Sequence, residues 1–174
     1  APTLITGAEL PVGEQDMDAC EADIPAGPTT EEIAALFEDK CSEVTVAKSA
    51  SINIDDCSWS ATYTYTITDA CGNVAENVII IYSGGDQSAP TLISGAEIPT
   101  GDTDMDLCLA DLPEGPSVED IAALFEDECS AVVVTMTESQ TGDDCSWSVT
   151  YTYTIEDACG NAADDVVITY SGGD

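Results

Sequence analysis

The sequence predicts an all-β protein of two tandem modules, residues 1–86 and 87–174. Three observations lead there. The first is a strand pattern. Trp59, Ala61, Tyr63, Tyr65 and Ile67 occupy every second position, and Ser58, Ser60, Thr62, Thr64 and Thr66 fill the gaps. A period of two means a β-strand with one apolar and one hydroxyl-rich face, and β-branched and aromatic residues suit a half-buried pleated surface. The second is a repeat. The segment around Cys57 returns 88 positions later around Cys145, and the two halves agree at roughly two-thirds of positions, which marks an internal repeat. The third is the cysteine set: Cys20, Cys41, Cys57 and Cys71, then Cys108, Cys129, Cys145 and Cys159 at the same offset. An even, repeated set in a small β module reads as disulfides. A zinc site would want short Cys-x-x-Cys spacing, and none occurs.

Each module follows one order. Thr3-Leu4-Ile5, after Pro2, reads as a short edge strand. Asp16-Met17-Asp18 is acidic and leads into a turn-rich passage, Ile24-Pro25 and Gly27-Pro28. Thr29 with Glu32 fits a capping box, and Ile33, Leu36 and Phe37 make a one-sided apolar stripe. A single inserted helix over 31–38 is expected, repeated by Ser117, Asp120, Ile121, Leu124 and Phe125. Cys41 to Ala47 reads as a strand. Ser49 to Asp56 reads as a polar hairpin loop, with Thr137 to Asp144 as its counterpart. The central strand ends at Asp69-Ala70-Cys71-Gly72-Asn73, where Gly and Asn tolerate a left-handed turn. Val78 to Tyr82 is the last strand, and Ser83 to Ser88 reads as a linker. The second copy ends in Ser171-Gly172-Gly173-Asp174, where a further module would begin.

Charge removes some functions. There are 35 acidic residues against two basic ones, giving a net charge of −33, with no histidine. Such a field repels nucleic acid and anionic membrane. It favours cations, basic partners or solvation alone, and a secreted domain adapted to high salt would show the same acidity. The hydrophobic fraction of 44% is enough for a core. No apolar run is long enough to span a membrane, so membrane insertion is not expected. No signal peptide is visible either, and the chain reads as mature or excised from a longer one. Without histidine there is no triad and no imidazole base, and carboxylate pairs cannot be singled out from a uniformly acidic surface. No catalytic residues are expected.

The run Tyr63-Thr64-Tyr65-Thr66-Ile67-Thr68-Asp69-Ala70-Cys71-Gly72-Asn73 resembles the hyalin-repeat (HYR-like) immunoglobulin-type modules found in tandem arrays of bacterial surface adhesins and secreted proteins. The Thr-Asp-Ala-Cys-Gly-Asn end carries the likeness, and Cys41 matches that family's mid-module cysteine. The resemblance covers both copies from about Cys41 onward, and the inserted helix departs from the usual module. It implies an immunoglobulin-like β-sandwich, an extracellular or cell-surface location, and a role in adhesion or assembly.

Four cysteines per module allow three pairings. Cys57 and Cys71 flank a strand of about fourteen residues, far beyond disulfide reach when extended. That disfavours Cys57–Cys71 and its complement. Two intramodule bonds per copy are expected, Cys20–Cys57 with Cys41–Cys71 and Cys108–Cys145 with Cys129–Cys159. Cys20–Cys71 with Cys41–Cys57 stays open.

Calcium is the candidate ligand, because it takes clustered hard oxygens on turns. The candidate carboxylates are Asp16, Asp18, Asp23, Asp55, Asp56 and Asp69, with Asp104, Asp106, Asp111, Asp143, Asp144 and Asp157 in the second copy. A solvated acidic face competes with a metal role at Asp16 and Asp18. For Asp69 an Asx turn with Asn73 is preferred. Thr62, Thr64 and Thr66, with Thr150, Thr152 and Thr154, are candidate O-glycan positions, against the plain wet side of a strand. No Asn-x-Ser/Thr sequon exists. Trp59 and Trp147 are expected in the core, as a tryptophan beside a cysteine is in immunoglobulin-like domains.

The sequence therefore points to an extracellular structural repeat protein. It would be a subunit of a filament or adhesin stalk, assembled head to tail with copies of itself, with donation of strand 3–6 as a route. Neighbouring modules of a longer chain are the other partner. The rival class is a calcium- or carbohydrate-binding adhesion module.

Overall fold

The computed structural model describes residues 1–55 and 57–174. The chain divides into two units, Ala1–Asp86 and Gln87–Asp174. The first contains β1 (Thr3–Leu4), β2 (Met17–Asp18), α1 (Thr30–Ala34), β3 (Phe37–Glu38), β4 (Val44–Asp55), β5 (Ser58–Asp69) and β6 (Val78–Gly85). The second repeats them as β7 (Thr91–Leu92), β8 (Met105–Asp106), α2 (Val118–Ala122), β9 (Phe125–Glu126), β10 (Val132–Asp143), β11 (Ser146–Asp157) and β12 (Val166–Gly173). A single turn of 3-10 helix follows β2 and β8. The all-β reading holds.

One four-stranded sheet dominates each module, in the order β2-β6-β5-β4 and its repeat β8-β12-β11-β10. The long strands run antiparallel, and β2 joins β6 in parallel. The alternation along β5 sorts its side chains as expected. Trp59, Ala61, Tyr63, Tyr65 and Ile67 are buried, and the serines and threonines between Trp59 and Asp69 are half-buried on the other face. Val78 and Ile80 of β6 add to the apolar face. A second layer covers it, formed by Ile24, α1 and a two-stranded ribbon in which β1 pairs with β3. Ile33 projects from α1 into this core and is fully buried. Burying one such side chain is worth about 1.5–3 kcal/mol.

The helix begins where expected. Thr29 Oγ1 accepts from Glu32 N, and Glu32 Oε2 accepts from Thr29 N at 2.7 Å, which completes the capping box. It ends earlier than the expected 31–38. Leu36 N already bonds Ile33 O in a tight turn, and Phe37–Glu38 leaves as β3 to pair with β1. Strand pairing overrides the helical period over its last residues.

Two further expectations are corrected. Residues 49–55 are not a loop: β4 runs unbroken to Asp55 and pairs with β5 along its whole length. Beyond Val46 no second layer covers its inner face, so Ile52 and Ile54 stay exposed and the apolar signal of a strand is weak there. Nor is Ser83-Gly84-Gly85 a linker. It is the end of β6, with Gly84 opposite Trp59 and Gly85 opposite Ser58. A β-carbon on Gly84 would sit 2.6 Å from Met17 O and 2.7 Å from Trp59 Cζ2. Glycine lets β2 and the indole close over β6 together.

The two tyrosines of β5 anchor the proline-rich passage. Tyr63 Oη donates to Pro25 O at 2.7 Å and Tyr65 Oη to Pro28 O at 2.6 Å. Tyr151 and Tyr153 do the same with Pro113 and Pro116. Burial pushes the Tyr65 and Tyr153 hydroxyls up in pKa, so they stay protonated donors. Lys48 differs between copies, its counterpart being Met136. Its Nζ donates to Ala26 O at 2.6 Å and Pro28 O at 3.0 Å, and lies 4.5 Å from the centre of the Tyr63 ring.

Candidate functional site: the two cysteine-bearing ends of each module

β5 sets the geometry of the cysteines. Cys57 precedes it and Cys71 follows it, so they lie at opposite ends of a twelve-residue strand, roughly 40 Å long at about 3.4 Å per residue. Each module thus has two ends, here termed head and tail, with a cysteine pair at each.

The head holds Cys41 and Cys71. Asp39 Oδ1 accepts from the backbone N–H groups of Cys41 and Ser42 at 3.0 and 3.2 Å. Ser42 Oγ accepts from Ala70 N at 3.3 Å, which ties the Cys41 segment to the turn that carries Cys71. In that turn Asp69 Oδ1 accepts from Cys71 N and Asn73 N, both at 2.9 Å. Asn73 Nδ2 donates to Asp69 Oδ2 at 2.7 Å. Gly72 takes φ of 85°, which the turn requires. The N-terminal ammonium lies 3.4 Å from Asp69 Oδ2 and 3.6 Å from Asp39 Oδ2. The Asn73 amide, the two backbone donors and this ammonium hold the Asp69 carboxyl down at about 2. Asp157 repeats the turn with Cys159 N, Asn161 N and Asn161 Nδ2. Burial works against its charge, but these donors outweigh it and its pKa is lowered. Asp127 caps Cys129 N as Asp39 caps Cys41 N.

The tail holds Cys20 and Cys57. Cys20 follows β2 and starts the 3-10 turn. Ala19 N donates to Gly85 O at 3.0 Å, and Trp59 Nε1 donates to Ala19 O at 2.9 Å. Asp86 N donates to Cys57 O at 3.2 Å, closing the end of the sheet. Trp59 and Trp147 are buried, as expected. In the second module Trp147 Nε1 bonds Leu107 O beside Cys108, and Asp143 Oδ1 accepts from Cys145 N.

Cys20, Cys57, Cys129 and Cys159 are disulfide-bonded. Cys41, Cys71, Cys108 and Cys145 are free and exposed. The expected bonds Cys41–Cys71 and Cys108–Cys145 are therefore not formed, and neither is the alternative that joined Cys20 to Cys71 and Cys41 to Cys57. Elimination along β5 was sound, since Cys57 and Cys71 lie at opposite ends of the strand.

Among the described residues the candidate calcium ligands of one module do not converge. Asp69 and Asp157 spend their oxygens on their own turns. Asp16 and Asp104 take left-handed backbone at φ of 56° and 58°. Asp18 and Asp106 lie in β2 and β8, Asp23 and Asp111 close the 3-10 turns, and Asp55 and Asp143 end β4 and β10. Asp144 O accepts from Asp174 N. Asp56 lies outside the described residues. Among the described residues, no three of these carboxylates bring ligand atoms together within one module. Thr62, Thr64, Thr66, Thr150, Thr152 and Thr154 are half-buried on the outer sheet face, and Thr150 Oγ1 lies 3.1 Å from Thr169 Oγ1.

Sequence reasoning missed Lys48 and the tyrosine anchors. The Pro25-Ala26-Gly27-Pro28 segment, repeated as Pro113 to Pro116, was a readable sign, because its carbonyls lie outside any strand ladder and need other donors. Among the described residues no helix is long and apolar enough to cross a membrane. No protein-family model, curated protein or solved structure matches the chain.

Proposed function

We propose that this chain is an extracellular structural repeat protein, a subunit of a filament or stalk built head to tail from like modules. One observation carries the reading: one module, with a distinct cysteine pair at each end of its long strand, occurs twice in the chain with the same order of elements. A contact between unlike ends propagates as an open array wherever its rotation does not close a ring. Disulfides fit an oxidising, extracellular setting. The acidic surface keeps such units soluble. Strand donation is not part of the proposal, because Thr3 and Leu4 pair with β3 of their own module. The test is negative-stain microscopy of the purified 174-residue chain. Filaments with a repeating axial unit are expected, and uniform single particles at high protein concentration would refute the reading.

A further inference from the structure

β6 leaves part of its backbone open. Alternate residues of an antiparallel strand aim their N–H and C=O groups at the same side. Ser83 N donates to Glu14 O, and Gly85 O accepts from Ala19 N. The ladder with β5 is continuous from Gly85 to Val78, so the odd-numbered residues of β6 all face away from β5. Ile79 and Ile81 belong to that set. The segment before β2 covers Ile81, since a β-carbon on Gly13 would collide with the Ile81 carbonyl. Among the described residues no backbone group bonds the Ile79 N–H or C=O.

Beside this edge lies an open groove of about 750 Å³, whose lining includes Leu4, Leu10, Val12, Asn77, Ile79 and Ile81. Five of these six are large apolar side chains left exposed, Val12 at 88% and Ile79 at 59%. A contiguous apolar patch with a polar rim marks an interaction site. Glu76 lines the groove at one end of the open edge, and Glu14 stands at the other, beside Ser83. The second module carries Thr100 and Thr169 where the first has Val12 and Ile81, so the full apolar lining occurs once per chain.

We propose that this groove binds an extended peptide segment of a second protein, one that alternates apolar side chains and carries lysine or arginine. Its main chain continues the sheet at Ile79 by strand addition, and its apolar side chains pack against Leu10, Val12, Ile79 and Ile81. The open strand edge selects a peptide, because only a main chain supplies a donor and an acceptor in ladder spacing. Charge selects which peptide. The chain has a net charge of −33, with Lys40 and Lys48 as its only basic side chains, and Lys48 Nζ already serves the carbonyls of Ala26 and Pro28. Another copy of the chain therefore brings no basic segment to the groove, whereas a cationic partner is steered in and meets Glu76 and Glu14. The proposal is independent of the head-to-tail reading, since every residue it uses lies in the first module.

The test titrates the full, nitrogen-labelled chain with a blocked Lys-Val-Thr-Val-Thr-Val-Lys peptide and follows amide shifts by NMR. Saturable shifts around Ile79, Leu10 and Val12 are expected, with the Ile79 amide becoming protected from hydrogen exchange. Affinity should fall as salt is added. The double variant Val12→Thr with Ile81→Thr should bind about tenfold more weakly, because two apolar contacts are lost. It should fold, because the second module carries threonine at both positions. If its urea midpoint falls, Val12→Ser alone replaces it, at a position 88% exposed. The same peptide with glutamate for lysine should bind weakly, and so should one N-methylated at the central valine, which lacks a ladder donor. The proposal is overturned if the lysine peptide fails to bind at millimolar concentration, or if the variant, the glutamate peptide or the N-methylated peptide binds as tightly as the reference. Concentration-dependent dimerisation of the chain alone, lost in the variant, would assign the groove to a second copy and overturn it too.

Discussion

The same substitution in the two modules should have unequal cost, because Lys48 exists in only one. Tyr65→Phe removes a 2.6 Å hydrogen bond to Pro28 O, but that oxygen keeps the Lys48 ammonium at 3.0 Å. Tyr153→Phe removes a 2.7 Å bond to Pro116 O, and Met136 offers no donor in place of lysine. A hydrogen bond lost with its acceptor still served costs about 0.5–1.5 kcal/mol, whereas an acceptor left unserved costs about 1–3 kcal/mol. The expected difference is about 1 kcal/mol, with the second module losing more. The assay is urea unfolding of the full chain followed by tryptophan fluorescence. Trp147→Phe leaves Trp59 as reporter of the first module, and Trp59→Phe leaves Trp147 for the second. With a slope of about 1–2 kcal/mol per molar urea, the two midpoint shifts should differ by roughly 0.5–1 M. Adding Lys48→Met should make Tyr65→Phe as costly as Tyr153→Phe, a coupling that a double-mutant cycle isolates. Equal shifts in the two modules without that third change would show that Lys48 does not serve Pro28 O.

Two more outcomes are expected. Gly84→Ala and Gly172→Ala should each destabilise their module by about 1–3 kcal/mol, as overpacking does. Their β-carbons would lie 2.6 Å from Met17 O and 2.2 Å from Met105 O, and unchanged midpoints in the same fluorescence assay would refute the close packing of β2 and β8. The Asp69 turn should respond to acid with a defined sign. Its carboxyl is held down to about 2 in the folded chain, against an ordinary value of 3.8. A depressed carboxyl contributes stability that is present above the unfolded value and lost as pH falls through the folded one. First-module stability should therefore decline between about pH 4 and pH 2, and Asp69→Asn should flatten that decline. An acid profile identical in the variant would remove Asp69 as its source.

The sequence by itself determined the elements whose cause is local. Alternation along residues 58–69 determined β5 and its buried face, because side-chain direction reverses at every residue of any strand. Thr29 and Glu32 determined the helix start, because a capping box is made within one turn. The Asp69–Asn73 turn was legible for the same reason, and it accounts for two carboxylates otherwise readable as metal ligands. The tertiary structure alone decided what depended on a distant partner. Phe37 left the helix because Leu4 pairs with it as a strand. Residues 49–55 became a strand because β5 supplies twelve residues of ladder, although no core covers that end. Gly84 and Gly85 looked like a linker until Met17 and Trp59 closed on them. The state of the cysteines depended most on distance. Spacing along one repeat excludes Cys57–Cys71, but no spacing tells that Cys20 and Cys57 are bonded while their counterparts Cys108 and Cys145 are free. A bond between sulfurs requires only that folding bring them together, and sequence separation sets no limit on that.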